Sequence, residues 1–330
     1  MNEKRKKNRY FKYLTVVLLV VFIVAASLFV MNLWERGQGL FPEPDPSDQP
    51  FVYEGKEYRL KENIETFLVL GLDKYEKDES VLDSYNNDKQ ADFLMLFVFD
   101  NNAKTFSAIH VNRDTMTKVN VLGVAGNKID SVTKQIALAH THGNGKDVSC
   151  RNTADAVSDL LLGRKVNHYL SLTMDSVPIL NDAVGGVEVT VLDDFTGIDD
   201  GLVKGQTVTL RGEQALHYVR TRYGLEDSTN STRMERQRQY VNALHAKFEQ
   251  CVAQDPDFIV NTSLSVSEYL VSDRSVTQLQ ELVRKFNEYE FTGIRSMEGE
   301  SRLGAEFIEF YPKESSIKKI VAELFYTPKD

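Results

Sequence analysis

Short apolar runs and longer segments with helical periodicity alternate along most of this chain. Runs at residues 66–72, 93–100 and 105–112 are rich in β-branched and aromatic residues, which predicts three β-strands. The turn sequence Asn101-Asn102-Ala103-Lys104 predicts that the last two form a hairpin. The first two runs are almost continuously apolar, so we expect strands that are covered on both faces, in an α/β fold whose sheet lies between helical layers.

Several segments carry apolar residues at helical spacing. The longest begins at Thr232 and continues to about Gln250. The pattern predicts shorter helices at residues 152–163, 174–186, 211–220, 275–289 and 315–325. Apolar stripes of this kind are typical of helices that pack on a core. We therefore interpret them as core-facing rather than as a surface for a partner protein.

The amino-terminal pattern predicts a membrane anchor. Residues 1–13 are strongly basic, and residues 14–33 are uncharged and long enough to cross a bilayer. Basic flanks stay in the cytoplasm, which predicts a single-pass protein of the cell membrane with its remaining residues outside. A cleaved signal peptide is the alternative, since small residues occur at 25–27. Prolines and acidic residues predict an extended linker at 34–60, followed by a catalytic domain at 61–250 and a C-terminal α/β extension at 251–330, packed on that domain or appended to it.

Charge and cysteine usage exclude some functions. The formal net charge is −9 although the amino-terminal tail is basic, so the part beyond residue 33 is more acidic still, and we expect no nucleic-acid partner. Cys150 and Cys251 have neither the spacing of a zinc site nor a companion that indicates a nucleophile. One disulfide and two free thiols both remain open.

Arginines are concentrated between residues 216 and 238. Arg220 and Arg222 lie two apart and would point the same way in an extended stretch. Arg233, Arg236 and Gln237 would share one face of the long helix. Converging guanidinium groups suit an anion with many oxygens, because their planar forks bind phosphate in a bidentate manner. The alternative is a set of surface ion pairs with neighbouring carboxylates, among them Asp227.

Acidic residues stand at the ends of the predicted strands. Asp73 follows the first, Asp92 precedes the second, and Arg113 and Asp114 follow the third. Ligands of open α/β sheets bind at such ends, and carboxylates without nearby His or Cys suit a hard cation such as Mg²⁺. An Asx turn or a helix cap is the alternative role for each Asp taken singly. The sequence therefore predicts a site for phosphates and a metal ion, and it contains no G-x-S-x-G elbow or Walker loop.

Six ordered motifs resemble those of the LytR-CpsA-Psr family of bacterial cell-envelope proteins, over residues 66–244. They are FLVLGLD, ADFLML, VNRDTMTKV, NKID, LNDAVGGVEVTV, and LRGEQALHYVRTR followed by STRMERQRQ. The resemblance implies an α/β/α domain with a central mixed sheet covered by helices on both faces, preceded by one transmembrane helix. It also implies a transferase of a Gram-positive-type envelope, which moves a glycopolymer from a polyprenyl-(pyro)phosphate carrier to peptidoglycan and holds the lipid in an apolar tunnel between sheet and helices.

Site roles follow from the same resemblance. Asp73 and Asp92 are expected to hold Mg²⁺ or Mn²⁺, and Lys128 and Asp227 to support the site. Asp114 is expected to act as a general base or to hold an arginine, beside a catalytic Arg113. The residues expected on the pyrophosphate are Arg113, Arg220, Arg222, Arg233, Arg236 and Gln237.

Two departures keep a second hypothesis open. Gln90 and Tyr75 stand where the family often has arginine. The loss of a phosphate contact is compatible with a protein that binds polyprenyl phosphate as an envelope scaffold or regulator and transfers nothing.

Overall fold

A six-stranded mixed sheet forms the centre of the computed structural model, which describes residues 51–72, 87–222, 225, 230–305 and 307–329. The strands are β1 (Phe51–Tyr53), β2 (Lys56–Leu60), β3 (Ile64–Leu72), β4 (Ala91–Asp100), β5 (Thr105–Val111), β6 (Met116–Leu122), β7 (Lys128–Gln135), β8 (His168–Thr173), β9 (Val187–Thr190), β10 (Thr207–Leu210), β11 (Leu270–Ser272), β12 (Glu290–Ser296), β13 (Gly299–Leu303), β14 (Ile308–Pro312) and β15 (Tyr326–Pro328). The helices are α1 (Asp147–Leu160), α2 (Ser176–Ala183), α3 (Glu213–Arg220), α4 (Asn230–Gln254), α5 (Phe258–Ser265), α6 (Val276–Phe286) and α7 (Glu314–Phe325), with 3-10 helices at Ile136–Thr141 and Ser267–Tyr269.

The strand order of the central sheet is β11-β8-β3-β4-β5-β12. Strand β3 runs antiparallel to β4 and parallel to β8, and β5 runs antiparallel to β4 and parallel to β12. The predicted hairpin is confirmed, because β4 and β5 pair from Leu94 opposite Val111 to Asp100 opposite Thr105. The mixed sheet with helices that the sequence predicts is therefore present.

The two faces of β3 contact different surroundings. Leu68, Leu70 and Leu72 are fully buried and belong to the main core, which α1 and α7 cover. Phe67 and Val69 point to the opposite face, where α2, α4, α5 and α6 lie across an apolar cavity. This alternation follows from the two-residue period of a strand.

Two segments that lie outside the predicted catalytic domain form strands. Residues 51–60, expected in the linker, form β1 and β2, and β2 also pairs with β15 near the carboxyl end. Residues 251–330, expected to be packed on or appended to the domain, supply both edge strands of the central sheet, β11 and β12. The backbone groups along the edges of β8 and β5 need hydrogen-bond partners, and these late strands provide them.

The predicted membrane anchor at residues 14–33 lies outside the described residues. Within the described ranges, no helix is long and apolar enough to span a bilayer. The cysteine question is settled: Cys150 and Cys251 are both free thiols.

Candidate functional site

A polar pocket of about 510 Å³ lies where four segments of the chain meet. They are the start of β4, the residue pair after β5, helix α3 with the residues that follow it, and the first turn of α4. The pocket is lined by Asp92, Arg113, Glu213, Leu216, His217, Arg220, Thr221, Arg222 and Arg233. The structure thus brings together Asp92 and four of the six residues that the resemblance assigned to the pyrophosphate.

Arg113 is held by two hydrogen-bond acceptors and one ion pair. Its Nη1 donates to Asp92 Oδ1 and its Nη2 to Gln90 Oε1. Its Nε lies 3.5 Å from Asp114 Oδ1. A guanidinium that is oriented in this way loses little conformational entropy when it binds an anion. Gln90, at a position where the family often has arginine, serves here as an acceptor for Arg113.

Arg233 approaches the same place from the first turn of α4. It is buried, and its Nη2 donates to Asn230 Oδ1 at 2.7 Å and to the backbone oxygen of Asp92 at 3.4 Å. Asn230 in turn donates to Asn112 Oδ1 at 2.6 Å, which ties the helix to the end of β5. Burial lowers the pKa of Arg233 to about 10, with Asp92 acting in the opposite direction. The group therefore stays charged at neutral pH.

Asp114 lies behind Arg113 rather than on the pocket wall. It is 5 % exposed, and its Oδ1 accepts a hydrogen bond of 3.2 Å from Gln135 Nε2. Burial raises the pKa of Asp114, although nearby arginines, first Arg113, act to lower it. Of the two roles expected from the sequence, this geometry matches the holder of an arginine.

Arg236 and Gln237 do not line the polar pocket. Arg236 is completely buried, with Nη1 and Nη2 donating to the backbone oxygens of Tyr218 and Thr221 and Nε 2.8 Å from Asp193 Oδ2. It fastens α4 to the end of α3, because the last carbonyls of a helix lack partners within that helix. Gln237 donates to the backbone oxygen of Val219 at 3.1 Å and contacts the apolar cavity.

Lys128, Asp73 and Asp227 complete the expected set. Lys128 is exposed at the start of β7, and it is not among the residues that line the pocket. Asp73 and Asp227 lie outside the described residues. Over the described ranges, no group of three or more His, Cys, Asp or Glu side chains could hold a metal ion by itself.

The apolar cavity lies between the sheet and the helices on its second face and also measures about 510 Å³. Aromatic and aliphatic side chains dominate its wall, for example Phe67, Phe93 and Phe97 from the sheet, and Leu244, Leu279 and Leu282 from the helices. Such a lining binds hydrocarbon by removing apolar surface from water.

The apolar cavity and the polar pocket are neighbours. Phe93 lines the cavity and Asp92 the pocket; Val219 lines the cavity and Arg220 the pocket. Consecutive residues thus contribute to both, and a molecule with an apolar chain and an anionic head fits the pair.

Four residues of the pocket were not expected from the sequence, and the two titratable ones among them are Glu213 and His217. Both belong to α3, and they share one face with Arg220 because they precede it by seven and three residues. This spacing relative to Arg220 is the signal in the sequence by which Glu213 and His217 could have been predicted. His217 Nδ1 lies 3.1 Å from Asp199 Oδ2.

Comparisons with known proteins identify the family. The family model LytR_cpsA_psr matches residues 45–324. The polyisoprenyl-teichoic acid–peptidoglycan teichoic acid transferase TagU of Bacillus licheniformis is 24% identical over 250 residues, 73% of this chain and 71% of the relative. The enzyme of the same name from Bacillus cereus is 26% identical over 208 residues, 62% of this chain and 60% of the relative, so the match spans about three fifths of that relative's length.

A solved structure supports the fold. TagT bound to LI-WTA has a TM-score of 0.59 and 20% identity, with 86% of this chain and 92% of that chain covered. A likeness at this identity establishes the α/β architecture alone. From the family match over most of its length, the chain belongs to the LytR-CpsA-Psr family.

Proposed function

We propose that this protein transfers a glycopolymer from a polyprenyl-(pyro)phosphate carrier to peptidoglycan through a phosphodiester link, in cell-wall biogenesis. The observation that carries the proposal is the junction of an apolar cavity with a pocket that contains four arginines. An undecorated sugar or a free nucleotide needs no such hydrocarbon site. The family relatives named as teichoic acid transferases, and TagT with its bound LI-WTA, support the same class of substrate.

The arginines suit phosphoryl transfer. Catalysis of such reactions depends mainly on positioning and on neutralising charge at the phosphate oxygens. Arg113 and Arg233 are held in place by side-chain acceptors, while Arg220 and Arg222 come from the end of α3 and the residues after it. Together they would clamp the two phosphates while the polyprenyl chain occupies the apolar cavity.

The reaction balances without an oxidant or reductant. A hydroxyl oxygen of peptidoglycan forms a bond to the phosphorus that carries the glycan, and the bond between that phosphorus and the bridging oxygen breaks. Polyprenyl phosphate leaves with the bridging oxygen and its electron pair. The acceptor hydroxyl loses its proton to a base.

We also propose Mg²⁺ or Mn²⁺ as the cofactor. Asp92 fits this role because its carboxylate lines the pocket beside the arginines, although its Oδ1 already accepts from Arg113. Mg²⁺ is commonly held by one or two carboxylates together with substrate phosphates, and Asp73 is the second candidate ligand. When bound, the ion would neutralise phosphate charge.

For its location, we propose a single-pass protein of the cell membrane. The basic residues 1–13 and the apolar residues 14–33 support an amino terminus in the cytoplasm and a catalytic domain outside. Protease added to intact cells, with their wall removed, should cleave the catalytic domain; full protection of that domain would contradict this topology.

The test uses the full-length chain, purified in detergent. Mass spectrometry should detect co-purified polyprenyl phosphates. Incubation with Mg²⁺, a lipid-linked glycan and peptidoglycan oligomers should then give a phosphodiester-linked product and free polyprenyl phosphate. EDTA should stop product formation.

Two other outcomes are informative. Bound lipid without product, while a TagU enzyme succeeds in parallel, would instead support the scaffold or regulator hypothesis, which the Gln90 departure favours. A protein that binds no polyprenyl lipid would contradict both.

A further inference from the structure

His217 forms a pair with a carboxylate at the edge of the polar pocket. Its Nδ1 lies 3.1 Å from Asp199 Oδ2, and the histidine side chain is 44% exposed whereas that of Asp199 is 18% exposed. The imidazole is therefore anchored on one side and accessible from the pocket that it lines. A carboxylate on Nδ1 fixes the ring orientation and the tautomer.

Asp199 is itself held by other groups. Its Oδ1 accepts from the backbone nitrogen of Gly201 at 3.1 Å and lies 3.5 Å from Gln214 Nε2. These contacts join the loop after β9 to the first turn of α3. The carboxylate consequently has a fixed position from which to orient His217.

The position of His217 relative to the arginines matters for chemistry. It precedes Arg220 by three residues on α3, and side chains at that spacing are neighbours on a helix surface, with about 5–6 Å between their Cβ atoms. A phosphate held by Arg220 would thus lie next to the imidazole. An attacking hydroxyl has to lie beside that phosphate, and therefore near the imidazole.

We propose that His217 is the general base that takes the proton of the acceptor hydroxyl, with Asp199 as its positioning residue. This inference rests on the proposed transfer to peptidoglycan. As the hydroxyl oxygen bonds to phosphorus, its proton moves to His217 Nε2, while Nδ1–H donates to Asp199. Polyprenyl phosphate departs with the bridging oxygen, and the imidazolium then releases the proton to water.

Other carboxylates near the arginines suit this role less well. Asp92 Oδ1 is already engaged by Arg113, and Asp114 is buried behind the same arginine. Glu213 lies one turn before His217 on the pocket wall, and among the described residues no contact places a second group to orient it.

The proposal predicts a pH dependence of transfer. A general base must be neutral, and histidine ordinarily changes charge between pH 5 and 8. The rate should therefore rise with pH through this range. The charged groups that face the imidazole or share its pocket are Asp199 from the loop, Glu213 and Arg220 from α3, Arg222 after it, and Asp92, Arg113 and Arg233 across the pocket.

The experiment compares full-length wild type with His217→Gln, Asp199→Asn and a matched control, His168→Gln. His168 also pairs through Nδ1 with an aspartate, Asp273 at 2.9 Å, but it lines neither cavity. Two readouts are taken on each variant: retention of polyprenyl pyrophosphate lipid by mass spectrometry, and the transfer rate to peptidoglycan oligomers from pH 5 to 9.

The expected result is a selective loss of transfer. His217→Gln should retain the lipid but transfer about 100-fold more slowly, the scale of general-base catalysis, with the rise between pH 5 and 8 removed. Asp199→Asn should lose less, and His168→Gln should match wild type in both readouts.

Four results would overturn the inference. Transfer by His217→Gln at the wild-type rate, or an unchanged pH profile, would show that His217 is not the base. Either result would leave the proposed function intact. A slower rate that is fully explained by lost lipid would make His217 a binding residue. Wild-type protein that holds lipid without giving product would contradict the proposed function itself.

Discussion

The apolar cavity and the polar pocket have the same volume, about 510 Å³, but opposite linings. One wall consists mainly of Phe, Leu and Val side chains, and the other contains four arginines. The same elements build both, because β4, α3 and α4 each contribute a residue to one and a close neighbour to the other. A boundary between hydrocarbon and charge is thus set by single residues rather than by separate domains.

Helix α4 shows the same contrast within two turns. Arg233 lines the polar pocket, Gln237 contacts the apolar cavity, and Arg236 is buried against the end of α3. Positions three and four apart lie on one broad face, but burial and partners differ at each. Variants that act on one region and spare the other test this division.

The largest effect is expected from Arg236→Ala, which should lower the free energy of unfolding by about 3–5 kcal/mol. Its guanidinium is 0% exposed, and removing it leaves Asp193 without its ion-pair partner and the carbonyls of Tyr218 and Thr221 without their donor. Urea denaturation measures the change. Arg302→Ala, at an exposed ion pair with Glu300, is the control and should be indistinguishable from wild type.

Arg222→Ala should separate binding from stability. Loss of a charge-assisted contact of about 1.5–3 kcal/mol should weaken pyrophosphate binding by roughly 10- to 100-fold. The free energy of unfolding should change by less than about 0.5 kcal/mol. Calorimetric titration with inorganic pyrophosphate gives the first value and urea denaturation the second. Arg222→Lys should recover only part of the affinity, because an ammonium group is a point charge. Unchanged affinity in the Ala variant would mean that the pocket is not the anion site.

A third prediction concerns His110, beside the boundary between the apolar cavity and the polar pocket. Its ring lies 5.1 Å from that of Phe93, and burial lowers its pKa to about 3, with Arg238 and Arg233 acting in the same direction. The unfolded chain takes up this proton near pH 6.5 and the native state does not, so stability falls as the pH drops from 6.5 towards 3.

His110→Phe should reduce this fall by up to about 1.4 kcal/mol per pH unit. Urea denaturation at pH 7, 6, 5 and 4 measures the slope. Burial also lowers the pKa of His140, to about 4, so a residual slope should remain in the variant. Equal slopes for variant and wild type would show that the pKa of His110 is not lowered in the native state.

The smallest effect is expected from partly filling the apolar cavity. Val69 lines it from the central strand β3, and Val69→Phe should displace one or two methylene groups of a bound lipid. At about 0.8 kcal/mol each, lipid retention should fall by roughly 4- to 15-fold while pyrophosphate binding is unaffected. If lipid retention does not change in mass spectrometry, the hydrocarbon lies elsewhere.

Local patterns were sufficient for much of the fold. The strands at β3, β4 and β5 and the helices α1, α4, α6 and α7 follow from apolar spacing, since a strand repeats every two residues and a helix every 3.6. Arginine pairing two or three apart also indicated an anion site before any geometry was known. Such signals depend on nearby residues only, so they can be recognised in the sequence without the tertiary structure.

Long-range pairing was beyond those patterns. The edge strands β11 and β12 come from the last quarter of the chain, and Glu290 pairs opposite Thr105. Nothing in three residues of β11 or seven of β12 states which distant strand they will join. The pairing of residues 51–60 and of the residues after 250 with distant strands could not be predicted for this reason.

The sequence by itself determined the element types, the family motifs and the concentration of arginines near residues 216–238. Only tertiary structure decided that Arg233 lines the pocket whereas Arg236 holds the end of α3, and that His217 meets Asp199. The reason is physical: a charged side chain takes its role from the partners and the burial that distant segments provide. Spacing along one helix cannot specify those partners.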